Sequence, residues 1–186
     1  MTLRASLRPA LVLFAVFLVG LGLLYPLAVT GIAGVAFPAQ AHGSLTYGAD
    51  GSVAGSELIA RNMTDPRYFH PRPSAVGYNA SASGGSNLGP TNPLLLERVN
   101  ASVSAFRAAG VTGPVPAELA MASASGLDPH LSVEAAQAQA PRIAAARSRS
   151  ADDMRALVLA NRIVDPVPFH PEYVNVNALN RALDAP

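Results

Sequence analysis

Cysteine is absent from the 186 residues, which excludes disulfides, thiolate nucleophiles and cysteine-ligated zinc and leaves the redox compartment unreadable. Lysine is absent too: all thirteen basic residues are arginine. A Walker-type phosphate loop needs a lysine to reach the β- and γ-phosphates, so none can be built here. Acidic residues number twelve, for a net charge of +1. Nucleic acid would require a basic face, and this balance argues against such a partner. A near-neutral domain also offers no field to concentrate cations. Two catalytic patterns are missing as well, the H-E-x-x-H of helical metal sites and the G-x-S-x-G of serine hydrolases.

What the chain does have is a long stretch without charge. Pro9 to Ala41 carry no charged side chain, and "LVLFAVFLVGLGLLYPLAV" (Leu11 to Val29) is apolar apart from Gly, Pro and Tyr. A helix of about 20 such residues spans a bilayer. A signal peptide ending at Ala39-Gln40-Ala41 is the competing reading. Its apolar core would run for roughly 7–15 residues, whereas this one continues to about Phe37, so an uncleaved anchor is predicted. Arg4 and Arg8 precede the segment and no arginine follows it until Arg61. The positive-inside rule then keeps the N-terminus in the cytoplasm and exports the rest. The expected organisation is a cytoplasmic N-terminus (1–10), a transmembrane anchor and exit (11–36), a tether (37–56) with a short hairpin around "TYGADGSV", and a single periplasmic domain (57–186). The fold class is α+β, one transmembrane helix followed by one mixed helix-and-strand extracytoplasmic domain.

Within that domain "SELIARNM" reads as a strand. "DPRYFHPRPSAVGYNA" follows, whose three prolines force an irregular extended path with Tyr68, Phe69 and Tyr78 packed beneath the core. Asn92-Pro93 is an N-cap followed by proline at the first helical position. Leu95, Val99, Val103 and Phe106 then make one apolar stripe, and Gly110 ends it. A second helical region runs from Ser132 to Arg147, interrupted or restarted at Pro141. A third starts at Ser150, with Asp153 completing a capping box, and runs to about Asn161. "EYVNVNALNRALD" reads as a short strand entering a helical turn. The echo between "DPRYFHP" (65–71) and "DPVPFHP" (165–171) has no matching surroundings and is read as chance, not a repeat.

Three groups of residues invite a chemical reading. His70, His130 and His170 each neighbour a proline, but no pair has the i, i+4 spacing of a helical metal site. Ser125, Asp128 and His130 could make a hydrolytic relay, though residues of these types occur in most proteins. The third group is "SGGSN", Ser83, Gly84, Gly85, Ser86 and Asn87, which resembles the signature of ABC transporters with Asn87 in place of glutamine. The helix begins some six residues later, so its dipole is not aimed from the glycine pair. The simpler reading is a bend that glycines at positive φ permit. "MASASGLDPHLS" (121–132) has the same character.

Three long stretches carry a family resemblance: "YFHPRPSAVGYNASASGGSNLGPTNP" (68–93), "SASGLDPHLSVEAAQAQAPRIAAAR" (123–147) and "VNVNALNRALD" (174–184). Together with the anchor and the length they resemble the C subunit of the Kdp-type potassium-transporting ATPase, over nearly the whole chain. Residues 148–173 are less distinctive, and Asn177 stands where an apolar residue is expected. The resemblance implies a single-pass subunit of a bacterial inner-membrane complex for high-affinity, ATP-driven potassium import. Its partners would be a channel-like potassium-binding subunit, a P-type ATPase subunit that holds the hydrolytic site, and a small one-helix subunit. The C subunit itself would be non-catalytic, with no catalytic residues, no metal and no tightly bound cofactor. The family is described as a catalytic chaperone that raises the ATPase subunit's affinity for ATP, with Ser83–Asn87 proposed in the nucleotide contact. The orientation derived from charge puts that loop across the membrane from cytoplasmic ATP, and suits a place above the channel-like subunit. The alternative is an independent membrane-anchored periplasmic binding module or hydrolase.

Overall fold

The computed structural model describes residues 3–48, 50–166, 169 and 171–185. The chain divides into two compact units, Met1–Leu45 and Thr46–Pro186. The first is helical: α1 (Leu3–Val19), a π-helical turn (Gly20–Leu24), α2 (Tyr25–Ala36) and one short turn, α3 (Pro38–Ala41). The π turn has a local cause. Pro26 has no N–H, and its ring would meet the carbonyl four residues back at Gly22. The helix widens so that the Tyr25 N–H reaches the Gly20 carbonyl instead. Ser6–Ala36 is 31 residues long and apolar enough to cross a membrane, and none of its residues is buried within the chain, which leaves a long apolar surface open. In water that surface would be unpaired with anything apolar, so the helix implies membrane association.

The second unit is a single mixed helix-and-strand domain. A hairpin of β1 (Leu45–Tyr47) and β2 (Val53–Ser56) comes first, as the "TYGADGSV" pattern predicts. Beyond Ser56, which ends β2, "SELIARNM" is not a strand. Ser56 and Ile59 form an isolated bridge across a turn. The physical reason lies in its carbonyls, which are satisfied by side chains instead of a neighbouring strand. Asn177 Nδ2 donates to the Ser56 and Ile59 carbonyls at 2.9 Å each, and Asn175 Nδ2 to that of Glu57 at 2.7 Å. This accounts for an asparagine at position 177.

Helix α4 (Pro93–Ala108) starts at the predicted cap: Asn92 Oδ1 accepts the Leu94 N–H, and Gly110 at φ 93° follows its end. After a short helix α5 (Ala117–Ala120) comes the centre of the domain, two strand-to-helix units set antiparallel. β3 (His130–Ser132) runs into α6 (Val133–Arg147), and β4 (Tyr173–Asn175) runs into α8 (Val176–Asp184). The strands pair His130 with Asn175, Leu131 with Val174 and Ser132 with Tyr173. In each unit the last strand residue is the helix cap, Ser132 accepting from Ala135 N–H and Asn175 from Ala178 N–H, both at 3.1 Å. Between them α7 (Ala151–Ala160) begins with the Ser150/Asp153 capping box.

α6 does not break at Pro141; it is continuous through Arg147. Ala135, Ala136 and Ala140 before or beside the proline and Ile143 and Ala144 after it are all buried in one core with Leu131, Met154, Val158, Val174 and Leu179. That burial outweighs one lost backbone hydrogen bond. The proline-rich path does run irregularly, and Phe69 is fully buried. Tyr68 packs at the edge of the core, while Tyr78 is half-buried and donates to the Arg72 carbonyl instead.

Candidate functional site

A path with three prolines cannot satisfy its backbone by a ladder, so side chains from α6 and α8 do it. Asn180 Oδ1 accepts the Phe69 N–H at 2.8 Å and its Nδ2 donates to the Phe69 carbonyl at 2.9 Å. Gln139 does the same for His70, at 2.9 and 3.0 Å. Arg142 donates to the Pro66 and Tyr68 carbonyls and to Gln139 Oε1. Gln139, Arg142 and Asn180 are all buried, and burial holds the Arg142 guanidinium down at about 10. At the surface Arg147 donates to Asp184 at 2.7 Å and stacks 4.9 Å from the Tyr68 ring centroid, while Tyr68 Oη donates to the same carboxylate. Sequence reasoning missed these clamps. A buried-face glutamine and arginine in α6 were their only local sign.

The serine-glycine loop rests against the loop 123–127. Gly84 N–H donates to the Ser125 carbonyl at 2.8 Å, and Ser83 Oγ donates to the same oxygen at 3.1 Å. Ser74 Oγ accepts the Val76 and Tyr78 N–H groups and donates to the Gly126 carbonyl at 2.7 Å. The expected role of the glycine pair needs correcting. Neither Gly84 nor Gly85 has a positive φ; Asn87 does, at 51°. Gly85 is glycine because a Cβ there would lie 2.9 Å from the Ala124 carbonyl oxygen, whereas one at Gly84 would meet only Val76 Cγ1 at 3.7 Å. The most constrained position is in the other loop. Gly126 has φ 69°, and a Cβ there would lie 2.7 Å from the Gly84 carbonyl oxygen. The two loops therefore form a close backbone-to-backbone contact. The α4 N-terminus is closed by its own Asn92 cap.

Asp128 and His130 do come together, with His130 Nδ1 3.3 Å from Asp128 Oδ1, and Arg72 approaches the other carboxylate oxygen at 3.4 Å. Burial pushes Asp128 upward, but the hydrogen bonds from His130 and the charges of His130 and Arg72 together hold it below the usual range. Ser125 Oγ accepts the Leu127 N–H at 3.1 Å, and among the described residues no hydrogen bond joins it to His130. His130 lies edge-on to Tyr173 and His70 beside Phe106. His70 is half-buried, with Nε2 3.1 Å from the Asp65 carbonyl, and burial followed by the Arg142 charge lowers its pKa. His170 lies outside the described residues. Among the described residues no group of three or more His, Asp or Glu converges as a metal site would. The arrangement joins loops and clamps backbone.

The sequence matches the family model described as "KdpC: K+-transporting ATPase, c chain" over residues 7–185. It is 73% identical over 184 residues to the "Potassium-transporting ATPase KdpC subunit" of Methanosphaerula palustris, covering 99% of both chains. A protein of the same name from Geobacter sulfurreducens is 48% identical over 183 residues, covering 96% of this chain and 97% of that one. Another from Caulobacter vibrioides is 51% identical over 184 residues, covering 97% and 93%.

Proposed function

The chain belongs to the KdpC family of potassium-transporting ATPase subunits, and from that membership we propose that it serves its complex as a non-catalytic, membrane-anchored assembly subunit. An accessory role in potassium transport and membrane association follow from the family and from the apolar helix. The finer reading is that the domain lies on the external side, above a channel-like potassium-binding subunit. A P-type ATPase subunit and a small one-helix subunit complete the assembly, and ATP is hydrolysed on the ATPase subunit. The observation that carries this is the serine-glycine loop itself. Its Gly84 N–H and Ser83 hydroxyl both donate to the Ser125 carbonyl, which fits a structural joint and not a phosphate cradle. Any rise in ATP affinity that this subunit confers is then transmitted through the assembled complex. No cofactor of its own is part of the proposal.

Purifying the chain from its own membranes through an affinity tag tests the reading. The expected result is co-purification of a many-helix potassium subunit and a P-type ATPase in constant ratio, with loss of growth at limiting potassium when the chain is deleted. Purification of the chain alone, with growth unaffected by deletion, would support the independent binding module or hydrolase instead.

A further inference from the structure

Helix α4 is sixteen residues long, yet Phe106 is its only buried residue. An isolated helix of that length is marginal in water, and helices in proteins are held mainly by burying an apolar face. Along α4 that face is only half covered: Leu95, Val99 and Val103 are half-buried, while Leu94 and Leu96 are 42% and 63% exposed. A groove of about 320 Å³ runs along this helix. Leu95 and Val99 line one side, and Met121, itself 48% exposed, lines the other. Ser74, Ser86 and Ser102 also line it, short side chains that let another backbone approach closely. Arg98 is the charged residue in the lining, exposed and without an ion pair among those between described residues.

We propose that this groove docks a segment of another subunit of the transport complex, one presenting an apolar side chain beside a carboxylate. The inference rests on the complex membership proposed above and names the surface that membership uses. Charge complementarity selects the occupant. In a two-fold contact the same patch faces itself, and the groove lining carries Arg98 but no carboxylate to answer it. A lipid tail would place hydrocarbon beside the Arg98 guanidinium and offer it no counter-charge. A protein segment with a carboxylate matches the apolar walls and the arginine together, and the short serine side chains leave room for its backbone. The serine-glycine loop then has a purpose that fits its geometry. The close approach of Gly85 to Ala124 fixes the loop whose next residue, Ser86, lines the groove.

The chain's lack of cysteine gives the test a clean background. Ser102→Cys and Met121→Cys, both in the groove lining and each carrying a short photoactivated crosslinker, are introduced into the complete complex in membranes. Asp152→Cys on α7, whose side chain is 89% exposed, serves as the control. Both groove positions are expected to yield an adduct with another subunit, identified by mass spectrometry, and the control none. Arg98→Glu should reduce the partner subunits recovered with the tagged chain by about tenfold or more, with Arg98→Lys close to wild type. Circular dichroism should show both Arg98 variants folded, since the side chain is exposed. Adducts with a second copy or with lipid, no adduct at the groove positions, or full partner recovery with Arg98→Glu would each overturn the docking proposal while leaving membership intact. Failure of the wild-type chain to recover any partner would instead remove the membership reading, and the docking proposal with it.

Discussion

Three glycine-to-alanine substitutions at the junction of the two loops should differ sharply in cost, although the sequence gives no reason to rank them. At Gly84 a methyl group enters ordinary contact with Val76 at 3.7 Å with no φ restriction. Alanine there should be neutral or stabilise by about 0.4–1 kcal/mol through the unfolded chain. At Gly85 the methyl would lie 2.9 Å from the Ala124 carbonyl oxygen, a backbone atom that can retreat only if the loops part. Overpacking of this kind costs about 1–3 kcal/mol. At Gly126 the left-handed backbone adds about 1–2 kcal/mol of its own, and the methyl would stand 2.7 Å from the Gly84 carbonyl oxygen and 2.6 Å from Val76 Cγ2. The expected total there is about 2–5 kcal/mol. Urea unfolding of the full-length protein in detergent, followed by circular dichroism, reads the series directly. With a slope of about 2 kcal/mol per molar, the Gly126 variant should unfold about 1–2.5 M earlier than wild type. Gly84→Ala as the most damaging of the three, or three equal effects, would refute the close-approach account of this junction.

Asn180→Leu strands the buried N–H and C=O of Phe69, both held by that one side chain. A loss of about 2–5 kcal/mol is expected in the same unfolding assay, and a loss below about 0.5 kcal/mol would show that the clamp is dispensable. His70 has a folded pKa below its ordinary 6.5, so the unfolded chain takes up the proton more readily. Its contribution to stability is complete above 6.5 and declines as the pH falls through that value toward the lowered one. Stability measured from about pH 7 to about pH 5 should fall more steeply for wild type than for His70→Asn, and equal slopes would contradict the burial argument. A reporter active only outside the cytoplasm, fused after Pro186, should be active, and a cytoplasm-only reporter silent. The reverse would overturn the orientation derived from Arg4 and Arg8.

Features set by neighbouring residues were legible in the sequence. Asn92-Pro93, Ser132 and the Ser150/Asp153 pair marked three helix starts because a cap acts within one turn. The apolar helix was legible because its length and lack of charge suffice on their own. Features that depend on distant partners were not. Pro141 looked like a break until the core on both sides of it was known. "SELIARNM" looked like a strand because nothing local shows that Asn175 and Asn177, more than a hundred residues away, take its carbonyls. At the candidate site the loop Ser83–Asn87 was found by composition, but the reason for its glycines was misread. Positive φ is a local property, whereas the approach of Gly85 to Ala124 is a tertiary one. The groove along α4 shows only as an apolar stripe in the sequence. How little of that stripe is covered needs the structure.

The central claim is that Ser83–Asn87 is a joint within an accessory subunit and not a contact with nucleotide. The most direct measurement is the ATP concentration needed for half-maximal potassium-dependent activity of the assembled pump carrying Ser83→Ala and Ser86→Ala together. Removing two hydroxyls, one of which donates to a carbonyl that Gly84 N–H also serves, should leave assembly and that concentration nearly unchanged. A several-fold rise in the ATP requirement of a fully assembled double variant, accompanied by binding of an ATP analogue to the wild-type chain alone, would contradict the account.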